Sequence, residues 1–160
     1  MVHPELLSRY PFFSFLKPAQ LKKIAKVAKE EAYERGAILF RENDKANAFY
    51  ILLKGSVELL FVVDVEYHPE LHKELRFRVI YPGESFGISA FIEPHILTST
   101  ARAVEPSSVI KIEAGPVLEM CQKDEKLAYA LIHQVARVAV DRLNATRLQL
   151  AAVWKPVEIK

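Results

Sequence analysis

The sequence predicts an α+β fold that is mainly β, namely an antiparallel β-roll or jelly roll of cupin-like type with N-terminal helices and a long C-terminal helix. Residues 33–113 carry runs of alternating apolar and polar side chains, a period of two that is typical of strands. Turn-forming residues separate these runs at short intervals, as in β-rolls, sandwiches and barrels. Residues 125–153, by contrast, contain neither glycine nor proline, which indicates one long helix.

Length and composition indicate a single domain over residues 1–160. The chain has 160 residues, of which 51% are hydrophobic and 26% charged, the balance of a globular protein. Its one cysteine, Cys121, excludes an intramolecular disulfide, and no segment has the roughly 18 apolar residues of a membrane span. The net charge is +2 with scattered basic residues, so no nucleic-acid footprint stands out. Because no signal peptide is recognisable, we expect a cytoplasmic protein without membrane association.

Residues 1–32 form the predicted N-terminal helical part. Pro18 suits the first turn of a helix, where a missing N–H costs nothing. Apolar residues follow at helical spacing: Leu21, Ile24, Val27 and Ala28. Four aromatic residues precede this stripe: Tyr10, Phe12, Phe13 and Phe15. We expect their rings to cover one end of the roll.

Residues 33–113 form the predicted β-roll. Residues 57–63, 76–80 and 109–112 alternate most clearly and are rich in β-branched and aromatic side chains. Breakers separate the runs, among them Gly36, Lys54-Gly55, Pro82-Gly83, Glu93-Pro94 and Glu105-Pro106. These breakers predict short strands joined by turns.

Residues 116–154 form the predicted C-terminal helices. Pro116 opens a short helix, and a long helix runs from about Glu125 to Val153. One apolar stripe on it contains Leu127, Leu131, Val135, Val138 and Ala139. A second contains Ala136, Val140, Leu143, Leu150 and Trp154, with Arg147 interrupting. A small roll cannot cover both stripes, so we expect a homodimer through this helix. One broad stripe buried within a single chain is the alternative.

The segment from Tyr81 to Phe91, Tyr-Pro-Gly-Glu-Ser-Phe-Gly-Ile-Ser-Ala-Phe, is the most informative motif. Gly87 would let a ligand approach backbone N–H groups at the start of a one-turn helix, a place that attracts phosphate. Taken alone, such residues more often form an ordinary turn.

The motifs in their order resemble the cyclic-nucleotide-binding domain of bacterial catabolite-activator-type regulators, kinase regulatory subunits and gated channels. Pro11-Phe-Phe-Ser-Phe-Leu resembles the family's opening, residues 33–44 its first strand pair, and residues 49–57 its strand–glycine–strand unit. Gly83-Glu-Ser-Phe-Gly87 is similar to the start of its phosphate-binding cassette. The long helix resembles its dimerising helix. The resemblance covers about residues 11–150 and implies a regulatory sensor that is not an enzyme.

Two charged anchors of that family are replaced in this chain. The glutamate that follows the Phe-Gly pair and holds the ribose is Ile88 here. The arginine that neutralises the cyclic phosphate aligns, without gaps, with Leu97. The resemblance therefore implies an atypical cassette whose ligand-binding residues are Phe86, Gly87, Ile88, Ser89, Ala90, Leu97, Thr98, Ser99 and Arg142.

Arg142 is the candidate replacement for the lost positive charge. Counted without gaps, it lies where family members bring the terminal helix over the ligand base. A solvent-facing helix arginine is the alternative, because exposed arginine is the norm. A haem-binding pocket beside His95 is a further alternative, drawn from other relatives of the family.

Two functions stay open at this point. The first is a sensor of a small cyclic-nucleotide-like molecule, with cyclic AMP or cyclic GMP as the candidate ligand and no metal expected. The second is a degenerate fold for dimerisation or protein interaction, with Ile88 and Leu97 filling the old pocket. Either could act through a regulatory protein partner. DNA-binding relatives carry a helix-turn-helix after the long helix, so we expect no direct DNA binding by a chain that stops at Lys160.

Overall fold

The structure, a computed structural model, describes residues 1–65 and 68–154, without the side chains of residues 64–71. The helices are α1 (Pro4–Ser8), α2 (Pro18–Lys26), α3 (Ala114–Lys123) and α4 (Glu125–Val153). The strands are β1 (Ala28–Tyr33), β2 (Ile38–Phe40), β3 (Ala48–Lys54), β4 (Val57–Val65), β5 (His68–Ile80), β6 (Ser85–Phe86), β7 (Thr100–Ala103) and β8 (Ser107–Glu113). Short 3-10 helices lie at Pro11–Phe13 and Ile88–Phe91. Residues 155–160 of the predicted domain lie outside the described residues.

The strands pair into two four-stranded antiparallel sheets, which confirms the predicted mainly-β roll. One sheet has the order β1-β8-β3-β6 and the other β2-β7-β4-β5. Between the sheets lies a core that includes Leu52, Val57, Ile80 and Val109. The roll is therefore closed around its own apolar interior, with the helices packed outside it.

Strand β3 is apolar on both faces, because each face meets a different part of the core. Tyr50 and Leu52 point into the roll, whereas Phe49 and Ile51 pack with the helices. Such two-sided burial produces a continuous hydrophobic run instead of strict alternation. The predicted aromatic cover is present: the rings of Phe12 and Phe13 lie 4.5 and 6.3 Å from that of Phe49.

The boundary predicted between residues 32 and 33, where the helices meet the roll, is wrong by five residues, because β1 already begins at Ala28. Residues 29–32 read Lys-Glu-Glu-Ala, a run with good helix propensity. Antiparallel pairing with β8, from Ala28 opposite Ile112 to Tyr33 opposite Ser107, overrides that local preference. The α2 stripe consequently ends at Val27, and Ala28 is buried as part of a strand.

The buried residues of helix α4 all lie in its first half. Leu127, Leu131 and Val135 are buried there, which matches the first predicted stripe. From Leu143 onward the large apolar side chains are exposed, and Trp154 is 69% exposed. Within the described residues no helix combines the length and apolarity needed to cross a bilayer. The second stripe of α4 is thus left uncovered by its own chain.

Asp124 ties the start of α4 to the N-terminal helices. Its carboxylate accepts hydrogen bonds from the Leu127 N–H at 3.0 Å and from the Gln20 amide at 2.9 Å. The first bond caps the helix, and the second links α4 to α2. These bonds, the Gln20 bond above all, hold the pKa of Asp124 below its ordinary value of 3.8.

We expect Asp124→Ala to lower the free energy of unfolding at neutral pH. Because the folded-state pKa is depressed, this stabilisation is complete above the unfolded-state value and is lost as pH falls through the lower folded-state value. Urea unfolding of the parent protein and of Asp124→Ala, between about pH 7 and about pH 3, measures this effect. The difference between their free energies of unfolding should become smaller as the pH falls. A difference in unfolding free energy that stays constant with pH would contradict this role of Asp124. Glu125→Ala, at the neighbouring position, is the control.

Candidate functional site

A cavity of about 280 Å³ lies where the segment after β6, the residues before β7 and helix α4 meet. Its lining consists of Phe40, Leu59, Phe77, Gly87, Ile88, Ser89, Leu97, Thr98, Ser99, Ala139 and Arg142. The volume is at the lower end of the range for small-molecule sites. Because both the roll and α4 contribute, a ligand here would touch two parts of the molecule at once.

Gly87 is required where β6 turns into the 3-10 helix Ile88–Phe91. Its φ of +76° lies in the left-handed region that side chains other than glycine rarely adopt. A Cβ at this position would lie 3.1 Å from both the Ala48 carbonyl oxygen and a ring carbon of Tyr50. The glycine therefore lets the chain pass close to β3 and set the first N–H groups of the 3-10 helix beside the cavity.

Gly87→Ala should destabilise the protein by about 1–3 kcal/mol, through the left-handed φ and the close contact together. Gly83→Ala is the matched control, because Gly83 also has a positive φ, +91°, but nothing lies within 4 Å of its added Cβ. Chemical unfolding should place the Gly87 variant well below the Gly83 variant. Equal losses would show that the approach to β3 has no energetic consequence.

Three hydroxyl groups in the cavity have free hydrogen-bonding capacity. Those of Ser89, Thr98 and Ser99 make no hydrogen bond within the described part of the chain. Ser99 is 7% exposed, Ser89 is half-buried and Thr98 is exposed. A polar ligand in the cavity would find three hydroxyls that can donate or accept hydrogen bonds.

Arg142 supplies the only charged side chain among the residues that line this cavity. Its guanidinium is largely buried and donates a hydrogen bond to the Ser85 carbonyl oxygen at 2.5 Å. No carboxylate among the described residues lies within ion-pair distance of it. Burial, helped by the nearby Arg78 guanidinium and opposed by Glu84, lowers the pKa of Arg142 to about 10. The side chain is still protonated at neutral pH, so the cavity is positively charged.

The structure brings seven of the nine predicted site residues to the cavity surface: Gly87, Ile88, Ser89, Leu97, Thr98, Ser99 and Arg142. It places the other two in the core. Phe86 is fully buried with its ring stacked 5.1 Å from that of Tyr50, and Ala90 is 1% exposed. Phe86 directly precedes the lining residue Gly87, and Ala90 directly follows the lining residue Ser89. The side chains of both are buried in the core.

The alternative of a solvent-facing Arg142 is wrong, because its side chain turns toward the roll and hydrogen-bonds to β6. His95 is not among the cavity residues, and its Nδ1 lies 3.1 Å from the Ala90 carbonyl oxygen. Among the described residues no group of three or more His, Cys, Asp or Glu side chains could hold a metal. Nothing in this geometry favours the haem alternative.

The sequence did not indicate the apolar wall of the cavity, formed by Phe40, Leu59, Phe77 and Ala139. Phe77 reaches the cavity at a register shift, where Leu59 pairs with Arg78 but Leu60 pairs with Arg76. Such a bulge re-aims a side chain that simple alternation cannot place. These residues give the cavity an apolar surface in addition to its hydroxyls.

Comparison with known proteins agrees with this geometry. The family model described as the cyclic nucleotide-binding domain matches residues 30–124. A cAMP-dependent protein kinase regulatory subunit from Blastocladiella emersonii is 29% identical over 130 residues, which are 77% of this chain and 31% of that subunit. The chain thus spans less than a third of that relative's length.

Solved structures show the same architecture over most of the chain. A candidate cyclic nucleotide-binding protein from Geobacter metallireducens has a TM-score of 0.78 and 34% identity, covering 89% of this chain and 99% of that one. The sensor domain of the transcriptional regulator DNR from Pseudomonas aeruginosa has a TM-score of 0.70 and 26% identity, covering 89% and 91%. The family model covers more than half of the sequence, and the cavity is built by the segment that the family uses as its cassette. The chain belongs to the cyclic nucleotide-binding domain family.

Proposed function

We propose that this protein is a non-enzymatic sensor that binds a cyclic nucleotide, cyclic AMP or cyclic GMP, in the cavity of Gly87, Ser99 and Arg142. The observation that carries the proposal is the buried Arg142 guanidinium, which has no carboxylate partner. A buried unpaired charge is costly, so an anion at this point would relieve a cost that the free protein bears. A cyclic phosphate is such an anion.

Arg142 takes over the role of the family arginine from another direction. At the aligned position the side chain is that of Leu97, which is 5% exposed and contributes no charge. The hydroxyls of Thr98 and Ser99 and the first N–H groups of the 3-10 helix add neutral donors. A charge-assisted hydrogen bond is about twice as strong as a neutral one, so Arg142 contributes the largest single share. The aromatic and aliphatic wall around Phe77 would receive the base.

Ligand binding would reach α4 directly, because Arg142 and Ala139 belong to that helix. The buried apolar residues of α4 lie in its first half, whereas beyond Arg142 its large apolar side chains are exposed. A ligand that binds one position of α4 better than another shifts the population toward it. The proposed signal is therefore a change in the position of α4 beyond Arg142.

A second copy of the chain is the proposed partner of the exposed apolar seam of α4. Ile132, Ala136, Ala139, Leu143, Leu150 and Val153 follow the three-and-four spacing of a coiled-coil seam. The large members of this seam are 47–78% exposed. The seam continues into an apolar groove of about 460 Å³ lined by Ile88 and Ile92 beside α4. A homodimer would bury this surface. The same surface would serve the alternative function, a ligand-free fold for dimerisation or protein interaction.

Calorimetric titration tests the proposal. Cyclic AMP or cyclic GMP should bind saturably, and adenosine, which lacks the phosphate, should bind far more weakly. Binding of adenosine as tightly as cyclic AMP would refute the role given to the guanidinium. No saturable heat with either cyclic nucleotide, together with an unchanged melting temperature, would leave the interaction function standing in its place.

Cyclic AMP affinity should fall as pH rises through about 10, the pKa of Arg142 in the free protein. The group binds the phosphate only when protonated, so affinity is constant well below that value and is lost above it. An ordinary exposed arginine would titrate above 12 and produce no such loss. Titrations at pH values on both sides of 10 measure the effect, and a flat profile in a folded protein would contradict it.

A further inference from the structure

A second cavity, of about 390 Å³, lies on the other flank of β6 between the N-terminal segment and α4. Its lining consists of Pro11, Phe12, Ser14, Arg78, Gly83, Glu84, Ser85, Gln134, Arg137, Val138, Asp141 and Arg142. Arg142 is the one residue that it shares with the cassette cavity. The rest of its surface has no part in the function proposed above.

The cavity carries an excess of positive charge. Arg78, Arg137 and Arg142 line it together with the carboxylates of Glu84 and Asp141. Glu84 is already engaged, because it accepts hydrogen bonds from Arg78 at 2.6 Å and from the Tyr81 N–H at 2.8 Å. Among the described residues Arg137, Arg142 and Asp141 form no ion pair.

Arg78 and Arg142 both line this cavity, close enough for their charges to interact. The nearby Arg78 guanidinium lowers the pKa of Arg142, in addition to the larger effect of burial. Arg78 is itself incompletely paired: its Nε is buried and has no hydrogen-bond partner in the part of the chain that the structure describes. Two neighbouring guanidiniums with only one carboxylate between them create a field that attracts an anion.

We propose that this second cavity binds a small oxyanion, the phosphate or carboxylate group of a metabolite, between Arg78 and Arg142 with Arg137 at its rim. The planar fork of a guanidinium matches the oxygens of either group. The Asp141 carboxylate at the same rim repels the anion and therefore lowers the affinity of the cavity for it. Because Arg142 serves both cavities, an anion here competes with the cyclic phosphate for the same guanidinium.

Calorimetry with inorganic phosphate at constant ionic strength tests the site on the full chain. We expect saturable binding that Arg137→Gln weakens by about three-fold and Asp141→Asn strengthens by about three-fold. A gain of affinity cannot arise from misfolding. Arg147→Gln, which removes the same charge from an exposed position of α4 away from the cavity, should leave binding unchanged. A parallel titration with acetate shows whether the cavity binds a carboxylate or a phosphate more tightly.

Three results would overturn this second site. The first is an absence of saturable binding of both phosphate and acetate. The second is an equal loss in Arg137→Gln and Arg147→Gln, which would indicate a general effect of charge. The third is loss of phosphate binding in the double variant Thr98→Val, Ser99→Ala with no response to Asp141→Asn, which would place the phosphate in the cassette cavity. The function proposed above survives the first two, because it rests on cyclic nucleotide titration.

Discussion

Arg142→Gln is expected to weaken cyclic AMP binding by about a hundred-fold or more. The substitution keeps a polar side chain of similar length but removes the charge that would face the cyclic phosphate. Loss of charge-assisted hydrogen bonds to one ligand group corresponds to about 3 kcal/mol. Isothermal titration calorimetry of the variant and the parent protein measures the change directly.

The same substitution should not lower the stability of the free protein. In the absence of ligand the guanidinium is buried without a carboxylate partner, so its removal relieves a desolvation cost. We expect an unchanged or raised melting temperature together with lost binding. Arg147→Gln on the exposed side of α4 is the matched control and should bind as the parent does. Retained affinity in Arg142→Gln would contradict the proposed phosphate contact.

The double variant Leu143→Glu, Leu150→Glu is expected to convert a homodimer into a monomer. Both leucines lie on the exposed seam of α4, 49% and 51% exposed. In a dimer, four glutamates would face one another in a desolvated seam, so the dissociation constant should rise by about a thousand-fold or more. Sedimentation equilibrium of the parent and the variant measures the change in oligomeric state.

Leu148→Glu provides the control for this experiment. Leu148 is 74% exposed and lies on α4 between the two seam leucines, but it is outside the three-and-four spacing of the seam. A single Leu150→Glu substitution should weaken the dimer, and Leu148→Glu should not. Equal effects of these two variants, or a parent protein that is monomeric at all concentrations, would contradict the proposed seam.

The fold could be predicted from the sequence because its elements obey simple periods. Alternation over residues 57–63 and 109–112 predicted strands that the structure contains. The absence of breakers predicted α4 with its observed bounds, Glu125–Val153. The start of β1 could not be predicted, since Lys29 to Ala32 favour a helix locally and only pairing with β8 makes them a strand.

The part of the candidate site that lies in one continuous segment could be predicted from the sequence. The residues that distant elements bring to it could not. The turn at Gly83 and the glycine at Gly87 indicated where a cassette would begin, because such positions require a particular backbone. Arg142 follows Gly87 by 55 residues in the sequence, and periodicity on α4 cannot tell a residue at the edge of the buried stripe from one facing solvent. Arg78 was equally hidden, because a bulge after Arg76 breaks the strand alternation.

A crystal structure of the protein with cyclic AMP would show whether Arg142 binds the cyclic phosphate. We predict the nucleotide in the cavity beside Gly87 and Ser99, with a phosphate oxygen within hydrogen-bond distance of the Arg142 guanidinium. A cyclic phosphate held without Arg142, with that side chain still donating only to the Ser85 carbonyl oxygen, would contradict the account.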